Sequence, residues 1–171
     1  MRQRRVCHLL FVLLLLISST SRSASSDQEQ ASLAGLSALR IVVEAPDDDQ
    51  DKLALGESAL LKEVEARVLA AGIRILGEPA WRATPGRPAL KVDVAITGRR
   101  KESRVFLVEI ELEQDVRLDR DPGKTGPAPT WSAAPRFGLL APSAGAAPIL
   151  QAVRDGLDEF VTAWRRANPK R

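Results

Sequence analysis

Apolar and polar positions follow three rhythms along this chain. The first is unbroken. Leu9 to Ile17 is apolar throughout, with Arg2, Arg4 and Arg5 before it and small or polar residues from Ser18 to Ser26 after it. A basic stretch, a short apolar run and a small-residue cleavage region form the layout of a secretory signal peptide. A spanning helix needs about 20 apolar residues, and this run is much shorter. Residues 1–26 are expected to be a signal peptide, with no transmembrane segment left after its cleavage.

The second rhythm is helical. Leu60, Leu61, Val64 and Val68 recur at helical spacing, and Glu63 and Arg67 stand at i, i+4 in the favourable order. Gly72 follows Ala70-Ala71 as a left-handed C-terminal cap, so the pattern predicts a helix over 57–71. A final helix starts near Pro148 and carries an apolar stripe of Ile149, Leu150, Val153, Leu157, Phe160, Val161 and Trp164. Arg165 and Arg166 suit its C-terminal end, and Asn168-Pro169 stops it.

The third rhythm is alternation. Leu90, Val92, Val94 and Ile96 alternate with Lys91, Asp93, Ala95 and Thr97. Beyond the turn of Gly98, Arg99, Arg100 and Lys101, Phe106, Val108, Ile110, Leu112, Val116 and Leu118 alternate with Glu109, Glu111, Glu113, Asp115 and Arg117. Period two marks strands with one buried and one wet face, here an antiparallel hairpin. A second strand of about 15 residues is long enough to predict a bend or bulge.

Shorter strands are expected at 38–43, rich in β-branched residues, and at 73–76. Gly and Pro break up 77–88, which holds Trp81, and Asp121–Pro129 reads as a loop. A last strand is expected over Thr130–Leu140, with Pro135 pointing to an edge position. Residues 27–37 are polar or small and are expected to be a flexible lead-in to a single domain spanning 38–169. The predicted class is α+β: a two-layer sandwich with two helices on one face of a mostly antiparallel, four- or five-stranded sheet. The acidic stripe falls on the other face.

Charge and composition then narrow the chemistry. The chain has 171 residues, 25 basic and 22 acidic, for a net charge of +3. Residues 1–26 hold four arginines and no acid, so residues 27–171 carry 21 basic against 22 acidic side chains, or −1. The same N-terminal segment holds Cys7, His8 and Met1, each the one residue of its type, and the chain has no Tyr. The exported part therefore offers no disulfide, no Ser-His arrangement and no His or Cys ligand for zinc or haem. No cofactor is expected.

Asp47, Asp49 and Asp51 give a D-x-D-x-D run resembling the start of a calcium loop. The EF-hand pattern wants Gly at loop position 6 and Glu at position 12, where Lys52 and Ser58 stand. Gly123-Lys124-Thr125 lacks the upstream Gly and the following helix of a phosphate loop. Glu109, Glu111, Glu113 and Asp115 project from one strand face at steps of about 6.6 Å, within the range of a glycosidase carboxylate pair. Alternation places them in solvent, where nothing raises the pKa of a general acid. Basic clusters at 99–101 and at Arg165, Arg166, Lys170 and Arg171 are not interleaved with aromatics, so no nucleic-acid partner is expected. Trp81, in a Pro/Gly stretch, is the candidate binding aromatic.

Certain stretches resemble a family of uncharacterised, predicted-secreted bacterial proteins of similar size. They are Leu69–Ile73, Pro88–Val94, Gln114–Leu118, Thr130-Trp131-Ser132 and the Phe160 helix ending Ala167-Asn168-Pro169. The family has no established activity, so the resemblance implies no functional residues. The layout is also similar to small envelope-assembly proteins such as the lipopolysaccharide-transport lipoprotein, although the lipid-bearing Cys of that family is missing here. Together these features lead to the expectation of an exported, periplasmic or secreted, non-enzymatic binding or envelope-assembly accessory module. Its partner would be an envelope protein or polymer met through Trp81 or the face bearing Glu109, Glu111, Glu113 and Asp115. The alternatives are a carboxylate-dependent hydrolase and a Ca²⁺-stabilised secreted domain.

Overall fold

The computed structural model describes residues 27–45, 55–98, 102–141 and 143–169. Residues 1–26, expected to be a signal peptide, Asp47, Asp49, Asp51 and the basic turn 99–101 lie outside these residues. In chain order the elements are α1 (Asp27–Ser32), β1 (Ala38–Glu44), α2 (Glu57–Ala71), β2 (Arg74–Ile75), α3 (Glu78–Arg82) and β3 (Ala89–Thr97). β4 (Arg104–Leu118), β5 (Asp121–Ser132), β6 (Arg136–Leu140) and α4 (Ala147–Ala167) complete the chain.

The fold is α+β, a six-stranded open sheet with two main helices packed against it. The strand order is β2-β1-β3-β4-β5, and β6 also pairs with β4. The sheet is mixed, because β1 runs parallel to both β2 and β3 while all pairings of β4 are antiparallel. β3 occupies one edge of β4. β5 and β6 share the other edge, against Glu111–Leu118 and Arg104–Val108 respectively. The ladder of the long strand with β5 shifts register at Leu112/Glu113 and Arg117/Leu118, and the extra residues fall on β5 rather than in β4 itself.

The core lies between the sheet and the two helices. Leu60, Val64 and Val68 of α2 and Ile149, Val153, Leu157 and Phe160 of α4 meet Leu90, Val92, Ile110 and Leu112 of the sheet. Trp131 sits among them, its ring edge-on to Phe160 at 5.3 Å between centroids. Glu63–Arg154 and Arg67–Asp158 ion pairs join the exposed flanks of the helices.

Gly72 caps α2 with φ 89°, as its place in the sequence predicts, and its N–H donates to Leu69 O. A Cβ there meets no atom within 4 Å, so the cost of Gly72→Ala is backbone strain alone. The variant is expected to lose about 1 kcal/mol, measured as a lower urea midpoint with an unchanged m-value.

Three expectations are corrected. Residues 27–37 are not a flexible lead-in. α1 and the turn after it dock on the domain, with Leu33 and Leu36 buried. Gln30 Nε2 donates to Ala163 O at 2.7 Å, and Trp164 Nε1 donates to Leu36 O at 2.6 Å. Two buried leucines outweigh the polar composition that pointed to disorder. Asp121–Pro129 is not a loop but most of β5, despite Pro122, Pro127 and Pro129. Proline is tolerated on an edge strand because one side of that strand donates nothing to a ladder. The expected strand over 130–140 is split around Pro135 into the end of β5 and β6. A further short helix, α3, occupies the Pro/Gly stretch around Trp81, with proline in its first turn.

Candidate functional site

The face of the sheet away from the helices collects the polar halves of the alternating strands. Register places its residues in rows that cross the strands about 6.6 Å apart. The first row is Thr97, Val105 and Leu139, and the second is Ala95, Leu107 and Phe137. The third is Glu44, Asp93 and Glu109, and the fourth is Val42, Lys91, Glu111 and Ser132. Two apolar rows therefore run directly into an acidic one.

Exposure in the apolar rows is high. Phe137 is 78% exposed, Leu139 74% and Val105 41%. β6 alternates Phe137 and Leu139, which face outward, with Gly138 and Leu140 on the core side. Gly138 leaves room for the Phe106 ring opposite, which a Cβ would approach to 2.7 Å. Arg136 turns to the helix side, donating to Glu159 Oε2 at 2.8 Å and to Asp155 O at 3.2 Å, so it does not shield the open face. The three sheet edges are unequally protected. β5 is blocked by its prolines and β2 has only two residues, while β6 has five residues and no proline.

The acidic row is a like-charge juxtaposition across three strands, an arrangement that destabilises a sheet. Lys91 relieves part of it, pairing with Glu44 at 3.1 Å. That hydrogen bond, with Asp93 and Glu113 close by, holds the Lys91 ammonium above its ordinary value. Glu109 is exposed, and Glu111 and Glu113 are half-buried on the same face.

Asp115 departs from this stripe. Arg87 grips it with two hydrogen bonds, Nε to Oδ2 at 2.6 Å and Nη2 to Oδ1 at 2.8 Å. The same guanidinium lies 5.5 Å from the Trp81 ring, and Arg40 lies 5.0 Å from it. Arg40 is in turn paired with Glu78 of α3. Trp81 and Asp115 are thus brought together through Arg87, with two cations within cation–π reach of the indole. Arg87 adopts φ 38° directly after Gly86 at φ 73°, a left-handed turn that brings the guanidinium back over the ring. Trp81 is only half-exposed and its Nε1 is buried without a partner, so this aromatic is built into the fold. The sequence signal for this cluster was the helix start Gly77-Glu78-Pro79.

Arg87 holds the Asp115 carboxyl below its ordinary value of 3.8. A depressed folded pKa means that its stabilisation is complete above that ordinary value and is lost as pH falls through the folded one. In an NMR titration of side-chain carboxyls, Asp115 is expected to titrate below 3.8 in the wild type and to move up in Arg87→Met. An unmoved midpoint would contradict the pairing.

A cleft of about 360 Å³ lies elsewhere, between the turn after α1 and the Thr84–Pro88 segment, lined by Ser37, Arg74, Thr84 and Gln114 among others. Trp81, Glu109, Glu111, Glu113 and Asp115 do not line it. Among the described residues no group of three His, Cys, Asp or Glu side chains can hold a metal ion. No described helix is long and apolar enough to cross a membrane.

No protein-family model and no curated protein matches the chain. Among solved structures it is similar to a PelC dodecamer from Paraburkholderia phytofirmans, with 15% identity over 74% of this chain and 85% of that one and a TM-score of 0.39. It is also similar to a minor lipoprotein from Acinetobacter baumannii, with 11% identity over 77% and 93% and a TM-score of 0.32. The rare lipoprotein B from Shewanella oneidensis aligns at 13% identity over 76% and 89%, with a TM-score of 0.26. Likeness at this level carries no function across, so the functional reading rests on the open face.

Proposed function

We propose that this chain is an exported, non-enzymatic binding or envelope-assembly accessory module that works through the open face of its sheet. The observation that carries the reading is the exposure of Phe137, Leu139 and Val105 in two adjoining rows on that face. Contiguous exposed apolar residues with a polar border are the mark of an interaction surface. Export rests on the basic, apolar and small-residue order of residues 1–26, and the partner is an envelope protein or polymer. A carboxylate-dependent hydrolase gains no support from the geometry. Glu109 is exposed, Glu111 and Glu113 are only half-buried on the open face, and Asp115 is held as an anion by Arg87, the reverse of what a general acid needs. The Ca²⁺-stabilised alternative rests on Asp47, Asp49 and Asp51, outside the described residues.

The test is a photo-crosslinking amino acid placed at Phe137 in producing cells, with Ala66 on the exposed side of α2 as control. A discrete adduct at Phe137 and none at Ala66 is expected. Equal labelling, or none at Phe137, sinks the reading.

A further inference from the structure

We propose that the occupant of the open face is a protein segment in which apolar side chains are followed closely by lysine or arginine. This deepens the binding reading above and rests on it. The geometry points to such a segment because the face itself changes character over one step. Leu107 and Phe137 share a row, and two residues along β4 the next row is Glu44, Asp93 and Glu109. A segment seated on Phe137 and Leu139 therefore meets carboxylates about 7 Å further on.

The acids are not balanced from within the described structure. Lys91 is the one basic side chain of rows three and four, and it faces Glu44, Asp93 and Glu113 together. Arg40 and Arg87, toward the far end of the face, are committed to Glu78 and Asp115. Side-by-side carboxylates on three neighbouring strands cost stability in the free protein, and a cationic partner removes that cost on binding. The apolar rows supply the desolvated anchor, since a few side chains fully desolvated at the centre of a contact carry most of its affinity. An anionic membrane would meet the apolar rows but would be repelled by the acidic one. A second copy seated face to face with its strands running the same way would bring two acidic rows together.

The experiment measures binding of the full chain to two fluorescent amphipathic peptides, one of leucine and lysine and one of leucine and glutamate. The leucine–lysine peptide is expected to bind at least about tenfold more tightly, with affinity falling as salt rises. The double variant Phe137→Ser, Leu139→Ser is expected to weaken it about a hundredfold. Asp93→Asn with Glu109→Gln is expected to weaken it about tenfold at low salt and to flatten the salt dependence. All four side chains face away from the core, and unchanged thermal melting checks that each variant keeps its fold. Equal binding of both peptides, or binding indifferent to these substitutions, overturns the proposal. So does capture by phosphatidylglycerol vesicles that Phe137→Ser, Leu139→Ser abolishes, or sedimentation as a dimer that the same change dissolves. A discrete crosslink at Phe137 together with charge-blind peptide binding would leave the binding face standing and remove only the cationic segment.

Discussion

Trp131→Ala is expected to lower stability by about 3–5 kcal/mol, the range for emptying a large aromatic site in a core. Trp131 is 1% exposed and lies edge-on to Phe160 at 5.3 Å and 64°, joining β5 to α4. It stands opposite Leu112, immediately before the register shift at Leu112/Glu113, so its loss also loosens the bulge at Thr130 of β5. Domains of this size hold about 5–15 kcal/mol in all, so the variant should melt far below the wild type. Its Nε1 is buried without a partner, so Trp131→Phe loses less. It removes an unsatisfied donor while leaving a smaller gap. Urea unfolding of both variants checks this. A loss below about 1 kcal/mol for Trp131→Ala would show that the Trp131–Phe160 contact does not hold the layers together.

The second large effect is expected to run against helix propensity. Gly156 lies in the middle of α4, where glycine is the poorest residue after proline. A Cβ there would lie 2.6 Å from Ile110 Cδ1 and 3.2 Å from Arg136 Nη1. Ile110 is buried, and Arg136 is held by Glu159, so neither has free space to retreat into. Gly156→Val should therefore destabilise by about 1–3 kcal/mol through overpacking, although propensity alone predicts a gain. A raised melting temperature would mean that α4 rides higher on the sheet than this contact allows.

Much of the fold was legible because local periodicity and burial agree. The helix at Glu57–Ala71 and its Gly72 cap, the hairpin partners β3 and β4, and the last helix from Pro148 to its Asn168 stop all derive from spacing. The elements that were missed are those whose local composition opposes their tertiary setting. β5 contains three prolines and is a strand because Glu111–Leu118 offers it a ladder on one side. α1 is short and polar and is ordered by Leu33, Leu36 and hydrogen bonds to residues more than a hundred positions away.

The candidate site divides in the same way. The acidic alternation on β4 was visible, and Trp81 stood out as an aromatic in a Pro/Gly stretch. Their arrangement was not visible. The parallel register of β1 with β3 sets Glu44 beside Asp93, turning a stripe along one strand into a row across three. Arg87 takes Asp115 out of the stripe and ties it to Trp81, a link over 28 positions with no local signature. Phe137 and Leu139 read as ordinary strand residues, and only the pairing of β6 with β4 turns them outward.

By itself, then, the sequence determined the two long helices and the central hairpin, which faces of those strands are polar, and that His and Cys fall within the first 26 residues. These are properties of spacing and composition, and each is decided within a few residues. The tertiary structure alone decided which polar faces become neighbours and which apolar residues remain uncovered. Register, crossover direction and the split of one strand into β5 and β6 depend on the surface each segment finds to pack against, and distant parts of the chain supply that surface.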